Sequence, residues 1–246
     1  MRYMMRAGSR FVMSLVALAS VAACSSVKVT DRKILVDEKV PRPHHIFVHD
    51  FVAAPEDVPS ESALAGQASA GSPPQSAEQI ALGREIGAEL ANALVAEIAG
   101  MGLPAEHATS QTPLEVGDLV IRGYLLTVQA GSATERVAIG MGEGAAELKV
   151  AVEGFQVTEH GLRKVGSGTL DTSAGKSPGA AVPLVVALAT KNPLGLIVST
   201  GVKLHGEESG SSTIHGKAQD VAKEIAGQLR PRFEQQGWIA SSEGAE

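Results

Sequence analysis

The sequence predicts an α+β fold: a mostly antiparallel sheet of four to five strands, with two amphipathic helices on one face and an apolar helical hairpin inserted late. Three observations predict it. Apolar residues recur every four positions at Leu82, Ile86, Leu90, Leu94 and Ile98, the period of a helix that buries one stripe. A second helical pattern runs through Ile214, Ala218, Val221, Ile225 and Leu229. Between them lie three segments of strand character, and one more precedes the first helix, an order that suits a sheet covered on one face.

Residues 45–52 carry Ile46, Val48 and Val52 on one side and Phe47, His49 and Phe51 on the other. Apolar residues on both sides predict a strand inside the sheet. Residues 53–77 follow, rich in Ala, Ser, Pro and Gly, and read as a long mobile loop. Ser76 and Gln79 have the spacing of a capping box, so the first helix starts there and runs about six turns to Gly100 and Gly102. Residues 119–129 are apolar on both faces and read as a central strand. Residues 147–157 alternate at first, with Leu148, Val150 and Val152 inward and Glu147, Lys149 and Glu153 outward. Phe155 and Val157 then take the apolar face, which predicts a β-bulge at Glu153-Gly154. Residues 162–172 form a weaker strand, paired back through the His160-Gly161 turn. The second helix ends or kinks at Pro231, and Gly237-Trp238-Ile239 closes the domain.

The start of the chain has a different grammar. Arg2, Arg6 and Arg10 form a positive region without acids, Phe11 to Val21 is apolar, and Val21-Ala22-Ala23 precedes Cys24, the single cysteine. This is the order of a secretory signal with a cleavage site, and about eleven apolar residues fall short of the ~20 that span a bilayer. With Cys at the cut, it resembles the lipobox of bacterial lipoproteins. The expectation is a signal peptide over 1–23, lipidation of Cys24, and a tether over 24–44. A domain over 45–239 and a disordered tail over 240–246 complete the organisation. A plain secreted protein is the competitor, disfavoured because a leftover thiol is a hazard in an oxidising compartment. Ser25, where Asp would suggest retention at the inner membrane, favours the periplasmic face of the outer membrane.

Loss of Arg2, Arg6 and Arg10 with the signal takes the formal charge from −6 to −9. So acidic a chain has no electrostatic footprint for nucleic acid. The expected membrane contact is therefore the lipid on Cys24. Eight aromatic residues (one Trp, two Tyr, five Phe) leave little to line a sugar or peptide groove.

Two segments are candidates for function. Gly131 to Gly144 contains Arg136, Ile139, Gly140, Gly142 and Gly144. Its backbone amides are suited to an anion, with Arg136 to pair with it, as a ligand or partner contact. It lacks the Gly-Lys-Ser/Thr of a P-loop, a strand rather than a helix follows it, and Glu143 would repel phosphate. A flexible connection between strands is the plain alternative. Residues 178–204 are apolar in two blocks parted by Lys191-Asn192-Pro193, each too short to span a bilayer. A helical hairpin is expected there, folded on the domain's own core or offering Leu194, Leu196 and Val198 as a docking surface for envelope proteins or for self-association.

A lipobox followed by Val48-His49-Asp50-Phe51, the Gly131/Arg136/Ile139-Gly140-x-Gly142-x-Gly144 run feeding a strand, and a final helix ending in Gly237-Trp238 are similar to domain-of-unknown-function family 4410 of proteobacterial lipoproteins. The similarity covers about residues 40–239. It implies a localisation and a fold, and no reaction.

His44, His45 and His49 invite a metal reading. On a strand, however, His45 and His49 sit roughly 13 Å apart, at ~3.3 Å per residue, too far for one ion to bridge. No nucleophile elbow, zincin motif or Cys–His pair is present. The sequence thus predicts no catalytic residue, no metal and no cofactor. It predicts a lipid-anchored docking or assembly module that is not an enzyme, with a small-ligand binding module around Arg136 as the alternative.

Overall fold

The computed structural model describes residues 27–65, 75–129, 146–172, 196–197 and 213–241. Its strands are β1 (Lys28–Ile34), β2 (Ile46–His49), β3 (Ala105–Ala108), β4 (Leu119–Gln129), β5 (Glu147–Thr158), β6 (Gly161–Asp171) and β7 (Leu196–Ile197). The helices are α1 (Ala77–Gly100) and α2 (Ile214–Gln236). One sheet has the order β1-β6-β5-β4-β2-β3, and β7 also pairs with β4. The class is α+β as expected, but the sheet is larger than four to five strands and it is mixed. β1–β6, β6–β5 and β5–β4 are antiparallel, whereas β2–β3, β2–β4 and β4–β7 are parallel.

The parallel half follows from α1. Chain leaving β2 returns through a helix of 24 residues, and a crossover of that kind delivers the next strand parallel. The capping box forms in both directions: Ser76 Oγ accepts from Gln79 N (3.2 Å) and Gln79 Oε1 accepts from Ser76 N (2.7 Å). Leu82, Ile86, Leu90, Leu94 and Ile98 are all buried, each stabilising the fold by roughly 1.5–3 kcal/mol over exposure. They meet Ile46 and Val48 of β2, Ile121 and Leu125 of β4, Leu148 and Val150 of β5, and Ala218, Val221 and Ile225 of α2 in one core. Both helices therefore lie on one face of the sheet. His215 Nδ1 and Glu89 Oε2, 2.6 Å apart, link them at the rim.

Four expectations are corrected. Residues 28–34, read as tether, form β1, an edge strand paired with β6. The predicted mobile loop is packed over its first part. Pro55–Asp57 is a 3-10 turn, and Leu64 closes with Tyr124, Val58 and Leu126 into a small second core on the sheet face away from the helices.

That second core also explains the third correction. β5 keeps its phase through Glu153-Gly154 against β4, and Glu153 and Phe155 both face away from the helices, where they are 3% and 2% exposed. The bulge falls on the other partner instead, where Gly154 pairs with Gly166 and Phe155 with Lys164, so Val165 is the extra residue. Fourth, Leu196–Ile197, expected in a helical hairpin, is the strand β7 beside Thr127–Val128. β2 pairs with only the first three residues of β4 and Val52 bridges Tyr124, which leaves the far half of that edge open to an apolar segment. The rest of 178–204 lies outside the described residues.

At the C-terminus α2 continues through Pro231 to Gln236 and stops at Gly237, whose φ of 77° is left-handed, the usual glycine stop. Trp238 then folds back against Phe233, with ring centroids 5.5 Å apart.

Candidate functional site

Cys24, Arg136, Gly140, Gly142, Gly144, Leu194 and Val198 lie outside the described residues. Of the predicted site residues only Leu196 is placed, by its backbone in β7. Three other regions bring chemistry-bearing side chains together.

The first joins the start of the described chain to its end. β1 packs against β6 at Gly166 and Gly168, where an added Cβ would come within 3.1 Å of Lys33 O and 3.3 Å of Asp31 O. The segment after β1 is held by α2. Gln236 accepts from Val40 N (2.6 Å) and donates to Glu38 O (3.2 Å), Trp238 Nε1 donates to Val40 O (3.0 Å), and Arg232 donates to Val36 O. Ile34 and Leu35 at the end of the strand are 45% and 55% exposed. Under this clasp lies a cavity of about 160 Å³, with Val29, Val152, Leu170, Ile225, Leu229 and Phe233 in its lining.

The second region is a polar cluster on the opposite sheet face. The Glu153 carboxylate accepts from Tyr124 OH (3.0 Å), Lys164 Nζ (2.5 Å) and Ala63 N (3.2 Å). Burial works to raise its pKa, but the bonds from Lys164 and Ser62, the Lys164 charge and the Tyr124 hydroxyl outweigh that and hold it below its ordinary value. Burial in turn pushes the Tyr124 phenol far above its usual range. A carboxylate with its lone pairs taken and a phenol that does not ionise are poor acid–base groups at neutral pH. What they do is pin the 58–65 segment to the sheet. Beside them, Arg122 donates to Glu61, and this bond is the largest influence lowering the Glu61 pKa.

The third region is the histidines. His45 stacks on Phe47 at 5.4 Å, and its Nδ1 lies 3.4 Å from Asp118 Oδ1. Asp118 is fully buried and accepts from His45 N and Glu115 N, which anchors the start of β4. His107, on β3, pairs with Asp50 at 2.7 Å. His49 Nε2 is buried without a partner, and burial, then Arg122 and His107, lowers its pKa. Among the described residues no group of three or more His, Cys, Asp or Glu is arranged to hold a metal ion. No helix of the described residues is long and apolar enough to cross a membrane.

Sequence reasoning missed Glu153, because alternation put it outward, and missed β1, whose Lys-Val-Thr-Asp-Arg-Lys-Ile has no apolar period. The Val48 to Phe51 motif was visible, but its role was not. Phe51 N donates to Gly87 O of α1 (3.2 Å) and the Phe51 ring fills the space above Gly123 of β4.

Comparison with known proteins gives one family and two weakly similar structures. The structure of the PelC L103M dodecamer from Paraburkholderia phytofirmans is similar at 13% identity and a TM-score of 0.34, over 68% of this chain and 98% of that one. A second PelC dodecamer structure from the same organism is similar at 15% identity and a TM-score of 0.30, over 58% and 77%. No curated protein sequence matches. The family model described as domain of unknown function (DUF4410) matches residues 46–190, from β2 past β6 and over more than half of the sequence, and the chain belongs to that family.

Proposed function

We propose that this chain is a bacterial lipoprotein, anchored through a lipid on Cys24 at the periplasmic face of the outer membrane, and that its folded domain is a non-enzymatic docking or assembly module of the envelope. The observation that carries this reading is the position of β1 in the sequence. β1 starts at Lys28, four residues after Cys24, so at ~3.3 Å per residue the edge strand is held within roughly 13 Å of the lipid. A domain on a twenty-residue tether would sweep a wide volume; one joined this closely presents a fixed edge. That edge ends in the exposed Ile34 and Leu35, apolar groups suited to a partner.

The test combines labelled-lipid incorporation with photocrosslinking from position 35 in intact envelopes. Wild type is expected to incorporate label and to crosslink to discrete envelope proteins. A flexible insertion of ten residues between Cys24 and Lys28 is expected to keep the label and lose those crosslinks. A Cys24→Ser protein that still fractionates with membranes overturns the anchor, and identical crosslinks with the insertion overturn positioned docking.

A further inference from the structure

A pocket of about 160 Å³, open to the surface on one side, lies between α2 and the β1-β6-β5 part of the sheet. Its floor is bare by sequence: Gly154, Gly166 and Gly168 line it, and Gly154 and Gly166 are cross-strand partners. Its walls are aliphatic and aromatic carbon from Val29, Val152, Leu170, Ile225 and Phe233. A space of about 150 Å³ holds a benzene-sized molecule, so this apolar pocket suits the end of an acyl chain. The charges around it point the same way. In a chain of net charge −6, its charged lining residues are the cations Arg32, Lys33 and Arg232 against the single carboxylate of Asp31. Lys33 lies 3.7 Å from Asp31, and Arg32 donates to Gln228 at 3.4 Å.

We propose that this cavity binds the apolar chain of an anionic amphiphile, with the chain against α2 and the acidic head at Arg32. The head is a carboxylate or a phosphate, from a free fatty acid or a membrane phospholipid. The site stands on its own geometry, whether or not Cys24 carries a lipid.

The only tryptophan of the chain, Trp238, lines the cavity and is a built-in reporter. The full chain in its unlipidated Cys24→Ser form is titrated with ω-bromododecanoate below its micelle concentration. A second arm uses phosphatidylglycerol vesicles with brominated acyl chains. Saturable quenching of Trp238 is expected in at least one arm; the fatty-acid arm assigns a free acid as the source, and the vesicle arm a membrane lipid. Leu229→Phe, which fills the cavity, is expected to abolish quenching while raising the melting temperature. Arg32→Glu, at an exposed position that the fold does not need, is expected to weaken binding about fivefold, the scale of one screened ion pair. Quenching in neither arm shows that the pocket takes no acyl chain and overturns the proposal. Equal quenching by a brominated dodecyl-trimethylammonium, or an unchanged affinity in both variants, overturns it as well.

Discussion

The ring of Phe51 occupies the place of the side chain that Gly123 lacks: a Cβ on Gly123 would fall 2.1 Å from Phe51 Cδ1. The same residue touches α1 through its backbone, since a Cβ on Gly87 would fall 2.2 Å from Phe51 O. Phe51, 1% exposed, is therefore a wedge between helix and sheet, admitted by a glycine on each side. The two clashes differ in kind, and that difference is measurable. Gly123→Ala is expected to cost about 1–3 kcal/mol by overpacking, and Phe51→Val should restore most of it. Gly87→Ala meets backbone, so Phe51→Val should not restore it. Urea unfolding of wild type, the three single variants and the two doubles, as two double-mutant cycles, checks this. Additive effects of Gly123→Ala and Phe51→Val would refute the wedge.

Glu153 is expected to make stability depend on pH. Its folded pKa lies below the ordinary value of 4.5, so the unfolded chain takes up the proton first as pH falls. The contribution is full above 4.5 and is lost as pH drops toward the folded value. Wild type should therefore lose its lead over Glu153→Gln between neutral pH and the acid side of 4.5. Lys164→Met leaves a carboxylate that is 3% exposed without its cation; because Lys164 itself is 24% exposed, the cost should be about 2 kcal/mol rather than the 3–5 of a fully buried pair. A wild-type-minus-Glu153→Gln difference that stays constant through this window would show that the carboxylate is not held as described.

His49 makes the opposite kind of group, a base whose charged form is disfavoured. Burial, Arg122 and His107 lower its pKa from 6.5, so between the folded value and 6.5 the unfolded chain binds a proton that the folded chain does not. Stability should decline as pH falls through this range, and His49→Phe should remove that part of the decline. Proton NMR titration of the imidazole reads the same quantity directly. A His49 midpoint at or above 6.5 would contradict the orphaned, buried Nε2.

Local pattern revealed much of this fold, and what it hid has a common cause. α1, β4, β5 and α2 each bury a continuous stripe, so period alone locates them. β3 is Ala-Glu-His-Ala, with no period of its own; only its parallel partner β2 and the α1 crossover make it a strand. β1 is charged because it is an edge with little to bury, and it is indistinguishable by composition from a linker. Glu153 looked outward because alternation assumes one wet face, and that face is covered by residues 58–65, where Ser62-Ala63-Leu64 gives almost no apolar signal. The candidate cavity was hidden for a related reason. It is built from absences, Gly154, Gly166 and Gly168, which in sequence only weaken a strand.

Those glycines also decide how firmly the edge strand is held, which is the basis of the last prediction. Gly166 sits opposite Ile34, and Gly168 opposite Arg32, across the β1–β6 pairing. A side chain on Gly166 would press on Lys33 O at 3.1 Å, closer than nearly all real contacts, and that oxygen belongs to backbone. Gly166→Val is therefore expected to lift the end of β1 from the sheet while α1, β4 and β5 keep their core. Hydrogen exchange should show the amides of 32–34 losing protection by at least tenfold with those of 119–125 unchanged. Gly161→Ala, also on β6 but remote from β1, serves as the control for general strand damage. Its left-handed φ of 104° makes alanine strained there, so overall stability should fall while the β1 amides keep their relative protection. Equal loss across 32–34 and 119–125 in Gly166→Val would mean that β1 is not separable from the core.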